Sequence, residues 1–115
     1  MKIIVCGGRD YNNKTFLYEL LDYFNTKTKI VTLVHGGAKG ADSLAALWAH
    51  EHNINCIMYP ANWNKYGKGA GFIRNTEMIK SNLDAKFLVA FPGGSGTLMA
   101  CDIATTNKLK VVKLW

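Results

Sequence analysis

A three-layer α/β sandwich, with helices on both faces of a mostly parallel five-stranded sheet, is the fold class that this sequence predicts. Two observations carry it. Short β-branched apolar runs alternate along the chain with segments whose apolar residues recur every three or four positions. Three of those runs also end in a glycine-rich turn. These are Gly7-Gly8-Arg9-Asp10 after KIIVC, Gly36-Gly37-Ala38-Lys39-Gly40 after IVTLVH, and Pro92-Gly93-Gly94-Ser95-Gly96-Thr97 after AKFLVAF. Strand, helix, strand in this succession implies right-handed crossovers and therefore parallel pairing.

The elements follow in order. Residues 2–6 read as a buried first strand. Residues 15–26 read as a helix, with Phe16, Leu17, Leu20, Leu21 and Phe24 at helical spacing. Residues 30–35 are the second strand, and a second helix runs from about Ala41 to His52 with Leu44, Ala45, Leu47 and Trp48 on its apolar side. CIMY at 56–59 is the third strand, stopped by Pro60. Residues 60–70 lack periodicity and read as irregular. A third helix fits 71–82, a fourth strand 86–91, a fourth helix 97–107 and a fifth strand 110–114. Phe16, Phe24, Phe87, Phe91 and Trp48 are expected in the core. The pattern as a whole is Rossmann-like, with strand order 3-2-1-4-5.

Composition sets the bounds. A chain of 115 residues, 49% hydrophobic with two prolines, suits one domain with a full core. No apolar run approaches the roughly 20 residues of a membrane helix, and MKIIVCGG reads as a strand and not a signal peptide. Cys6, Cys56 and Cys101 are odd in number and far apart, which suits reduced packing thiols in the cytoplasm. His50 and His52 fall on different sides of their helix, so neither a metal site nor a cofactor is expected. The net charge of +6 reads either as an ordinary solvated face or as the mark of an anionic partner, and does not separate a small phosphorylated ligand from nucleic acid.

Glycine at a strand exit admits close approach of a ligand to the main chain. A helix starting there points free N–H groups and its positive dipole end at the same place. In a parallel sheet all such exits share one edge, and ligands bind where the winding reverses. With order 3-2-1-4-5 that places Gly7-Gly8-Arg9 opposite Gly93 to Thr97. The dinucleotide pattern G-x-G-x-x-G is absent after the first strand, and so is the P-loop pattern G-x-x-x-x-G-K-[ST].

CGGRDY, HGGAKGADSLAALWA, NWNKYGKGAGFIRNTEM and FPGGSGT together resemble the small YspA-like proteins (DUF2493) of the SLOG superfamily. The lonely-guy phosphoribohydrolases and the DNA-processing DprA proteins belong to the same superfamily. The resemblance spans essentially the whole chain. It implies a modified Rossmann fold, recognition of a nucleotide or nucleotide-derived signal, and assembly into dimers or larger homo-oligomers. Catalytic relatives carry an acidic pair soon after P-G-G-x-G-T, and here those positions are Met99 and Ala100. Neither side chain can activate water or face a developing cation. The resemblance therefore implies binding, sensing or sequestration without turnover, of an ADP-ribose-like or cyclic nucleotide. Nucleotide cleavage, by Asp102 or Asp10, and DprA-like binding of single-stranded DNA are the alternatives.

The candidate ligand residues are assigned as follows. Gly7, Gly8, Gly36, Gly37, Gly93, Gly94 and Gly96, with Pro92, shape the turns. Arg9 offers a guanidinium to a phosphate, and Asp10 either orients Arg9 or caps the first helix. Lys39 adds charge at the second turn, where Ser43 also sits. Asp42 either meets a ribose hydroxyl or balances the helix dipole. Ser95 and Thr97 supply hydroxyls beside bare N–H groups. Arg74 and Asn75 open the third helix, to contact the ligand or to hold the long loop. Trp63 and Tyr66, among Lys65 and Lys68, either stack on a base or anchor that loop. Leu47, Met78 and Ile79 are the candidate contacts between subunits.

Overall fold

The computed structural model describes residues 1–115. Its elements are β1 (Lys2–Cys6), α1 (Lys14–Lys27), β2 (Thr32–His35), α2 (Ala41–Glu51), β3 (Asn55–Met58), α3 (Trp63–Tyr66), a 3₁₀ turn (Gly67–Gly69), α4 (Ala70–Lys80), β4 (Phe87–Ala90), α5 (Ser95–Thr106) and β5 (Val111–Lys113). The five strands form one all-parallel sheet in the order β3-β2-β1-β4-β5. This is the Rossmann-like arrangement that the alternation predicts, and its winding reverses between β1 and β4.

The two-residue period of a strand divides the core between two faces. Ile3 and Val5 of β1 pack with Leu17 and Leu21 of α1 and with Ala45, Trp48 and Ala49 of α2. Ile4 and Cys6 face the other way, onto Met78 and Ile79 of α4 and Ala100, Cys101 and Ala104 of α5. A strand covered on both sides must be apolar throughout, which is why β1 and β4 read as unbroken runs. Trp48 is fully buried and donates its indole N–H to Asp22 Oδ1 at 2.9 Å.

Several expectations are corrected. Residues 60–62 are irregular as expected, but 63–69 form α3 and the 3₁₀ turn, with Asn62 capping α3 by accepting the N–H of Lys65. Helix α4 starts at Ala70, so Arg74 and Asn75 lie in its second turn. Helix α5 starts at Ser95, two residues earlier than expected. Asp10 does not cap α1; Asn13 does, accepting the N–H of Phe16 at 3.1 Å. Phe16 is 40% exposed because it sits in the first turn of α1, touching Phe91 by its ring edge. Cys56 is exposed on β3, an edge strand with neighbours on one side only. Met78 and Ile79 are fully buried against the sheet and cannot form a subunit contact, whereas Leu47 remains exposed.

Candidate functional site

The three glycine turns meet at the carboxyl edge of the sheet and interlock. The N–H of Gly8 donates to the carbonyl of Pro92 at 3.0 Å, tying the β1–α1 turn to the β4–α5 turn. A Cβ on Gly93 would lie 2.6 Å from Gly8 N and would overlap Thr97 Oγ1, so only glycine fits there. Gly40, at φ +76, lies against the carbonyls of Gly8 and Arg9, which ties in the β2–α2 turn.

The β2–α2 turn is held from beneath. Asp42 is 4% exposed, and its Oδ2 accepts the N–H of Gly36 at 3.0 Å and that of Ala38 at 3.2 Å. Burial raises its pKa to about 6, against the opposing pull of those two N–H groups and of the Arg74 guanidinium. Ser43 Oγ donates to the Ala38 carbonyl at 2.8 Å. His35 is buried, and its Nδ1 accepts the Gly37 N–H at 2.9 Å. Burial, with the nearby Arg74 charge second, lowers its pKa and keeps the ring neutral. Gly36 and Gly37 are thus fixed by Asp42 and His35, while Lys39 extends to solvent.

Arg74 and Asn75 form a bridge across the edge. Arg74 Nη1 donates to the Gly36 carbonyl and, at 3.4 Å, to that of Tyr59; its Nε donates to Asn75 Oδ1 at 2.7 Å. Buried Asn75 in turn donates from Nδ2 to the Gly96 carbonyl at 3.4 Å. One helix thereby sets the spacing between the second and third glycine turns.

The two helix starts at this edge differ. The Ala41 N–H at the head of α2 already donates to the Gly8 carbonyl at 3.2 Å. At the head of α5, the N–H groups of Ser95, Gly96 and Thr97 precede the first intrahelical bond, from Leu98 to Gly94. No side chain caps them and the first turn holds no acid. Cβ atoms on Gly94 or Gly96 would meet nothing within 4 Å, so both glycines border open space. Thr97, in contrast, is buried, with its hydroxyl against Gly93.

Beside the N-cap of this helix is a solvent-open cavity of about 530 Å³, lined by Gly8, Arg9, Asp10, Tyr11, Asn12, Pro92, Gly93 and Gly94, whereas Ser95, Gly96 and Thr97 do not line it. It gathers six of the residues singled out in the sequence. Tyr11 and Asn12 were missed, although both continue the same turn: the Tyr11 N–H donates to the Gly8 carbonyl at 3.2 Å. Arg9 and Asp10 are exposed; the ion pairs of the molecule are Lys2–Asp84 and Asp22–His52 and include neither. Gly7 lies behind the cavity, between Ala41 and Phe91. Trp63 and Lys68 lie elsewhere. Trp63 borders a second cavity of about 350 Å³ with Pro60, Ala61, Asn62 and Asn64, and the two cavities share no residue. Ala100 is packed in the core, where a carboxylate has no room, and Asp102 is exposed on the outer side of α5.

An all-parallel doubly wound sheet, with its glycine turns gathered where the winding reverses, defines the Rossmann-like fold class. Within that class, the chain belongs to the YspA, cpYpsA-related SLOG family, whose model matches residues 1–66. It is also 32% identical over 99 residues to the Gene 61 protein of Mycobacterium phage D29, covering 81% of this chain and 78% of that one. Membership of an SLOG family suggests a nucleotide-related function. No helix is long and apolar enough to cross a membrane.

Proposed function

We propose that the chain binds a nucleotide or nucleotide-derived signal, ADP-ribose-like or cyclic, in the cavity between the β1–α1 and β4–α5 turns, and releases it unchanged. The observation that carries this reading is the uncapped head of α5, whose N-cap Gly94 lines the cavity that also holds Arg9. Free N–H groups and a helix dipole favour a phosphate. An arginine without a carboxylate partner is available to form two parallel hydrogen bonds with it. Cleavage of an N-glycosidic bond needs an acid beside the developing cation. The two positions that are acidic in catalytic relatives hold Met99 and Ala100 here, Asp102 is exposed on α5, and the one carboxylate lining the cavity, that of Asp10, belongs to the turn after β1.

The test is ligand-induced stabilisation. AMP, ADP-ribose and cyclic nucleotides are screened by thermal shift against the native chain and Gly94→Val. At least one ligand should raise the Tm of the native chain, and Gly94→Val, which adds a side chain only to open space, should fold normally and lose the rise. A full rise in Gly94→Val would remove the β4–α5 turn from the site. Recovered ligand should be intact; multiple-turnover release of base or ribose phosphate, lost in Asp102→Asn, would establish an enzyme instead.

A further inference from the structure

The corner between β3 and α4 carries a second set of features that the glycine cavity does not use. Three aromatic rings stand out from it: Trp63 is 54% exposed, Tyr66 43% and Phe72 55%. They form a group. Trp63 and Tyr66 are three residues apart on α3 and share a face. The Trp63 ring edge rests on Gly71, where a Cβ would lie 3.4 Å from its Cη2, and Phe72 is the next residue. Several exposed rings within ten residues offer more apolar surface than a scattered side chain does.

The stretch of chain that carries these rings has charge of one sign. No acidic residue occurs between Glu51 and Glu77, whereas Lys65, Lys68 and Arg74 fall within that interval. Lys65 Nζ sits 5.1 Å from the centre of the Tyr66 ring, and Lys68 is exposed on the 3₁₀ turn. On either side of Lys68, Gly67 and Gly69 leave their backbone bare, since a Cβ on either would meet nothing within 4 Å. Exposed aromatic faces, intervening lysines and an accessible backbone are what a strand of unpaired bases recognises. Bases stack on the rings while phosphates approach the ammonium groups. A duplex would present only its phosphates and leave the rings without partners. A mononucleotide has one base for three rings.

We propose that the α3–α4 corner is a binding site for single-stranded nucleic acid, separate from the glycine cavity. The test is fluorescence anisotropy with labelled single-stranded oligo-dT and oligo-A, with a duplex of the same length as control, at about 50 mM salt. The native chain should bind both single strands more tightly than the duplex. Trp63→Ala and Phe72→Ala should each weaken binding by roughly ten-fold. Because both side chains are largely exposed, the variants should keep the native Tm. Lys65→Ala and Lys68→Ala should each reduce the slope of log K against log salt by about 0.7. Gly94→Val should bind the strand like the native chain, so that failure of the nucleotide reading and failure of this one are told apart. The proposal is overturned if the native chain does not bind either strand, or if Trp63→Ala/Phe72→Ala binds them unchanged. It is equally overturned if that double variant alters only the sedimentation mass, which would make the corner a self-association surface.

Discussion

Adjacent glycines in the β4–α5 turn should respond in opposite ways to the same substitution. In Gly93→Ala, the added methyl would lie 2.6 Å from Gly8 N and 2.9 Å from Gly8 Cα, and would overlap Thr97 Oγ1. Backbone atoms of β1's turn cannot withdraw without breaking the bond from Gly8 N–H to the Pro92 carbonyl. Overpacking of this kind costs about 1–3 kcal/mol. At about 4 °C per kcal/mol for a domain of this size, the Tm should fall by roughly 4–12 °C. In Gly94→Ala the methyl meets nothing within 4 Å, and the residue's φ of −95° is open to any side chain. Two small effects remain and oppose each other. Alanine is a poorer N-cap than glycine, but it removes freedom from the unfolded chain, worth about 0.4–1 kcal/mol. The net change should stay within roughly 0.5 kcal/mol. Calorimetric or circular-dichroism melts of the two variants decide the matter. Equal losses, or a larger loss in Gly94→Ala, would refute the division of this turn into a packing glycine and an open one.

Asp42 makes stability depend on pH. Its folded pKa of about 6 lies above the ordinary 3.8. This group's contribution is therefore full below about pH 4 and lost as pH rises through about 6. A shift of that size corresponds to about 3 kcal/mol at about 1.36 kcal/mol per unit. Urea midpoints measured across this window should fall with rising pH more steeply in the native chain than in Asp42→Asn, and equal slopes would count against it. Arg9→Ala should leave the Tm unchanged, because Arg9 is exposed and unpaired, yet weaken nucleotide binding by roughly ten-fold in titration calorimetry. Arg74→Met should cost about 2 kcal/mol in chemical denaturation through the bonds to Gly36 and Tyr59. Leu47→Glu should shift any dimer towards monomer in sedimentation velocity, since Leu47 is the one expected contact residue that the fold leaves exposed.

The strand and helix alternation, the strand order and the edge where the glycine turns gather were legible in the sequence. Hydrophobic period reports local backbone geometry directly, and parallel pairing then sends every strand exit to one edge. Sequence motifs also singled out Arg9, Gly93 and Gly94, because turns and helix starts are local features. What only the tertiary structure decided is how each polar group is used. Nothing local shows that Gly36 is held by Arg74, 38 residues away, or that Gly93 must be bare because Gly8 lies across from it. The same holds for burial: Phe16 was expected in the core and Met78 at a subunit contact, but Phe16 is 40% exposed and Met78 is buried against the sheet. Asp42 offered two readings from sequence, a ribose contact or a dipole partner. Its carboxylate lies in the first turn of α2, as a dipole partner would, and is turned back onto the N–H groups of Gly36 and Ala38. Local pattern sets which way the backbone runs, while side-chain roles follow from neighbours that the sheet brings together from distant parts of the chain.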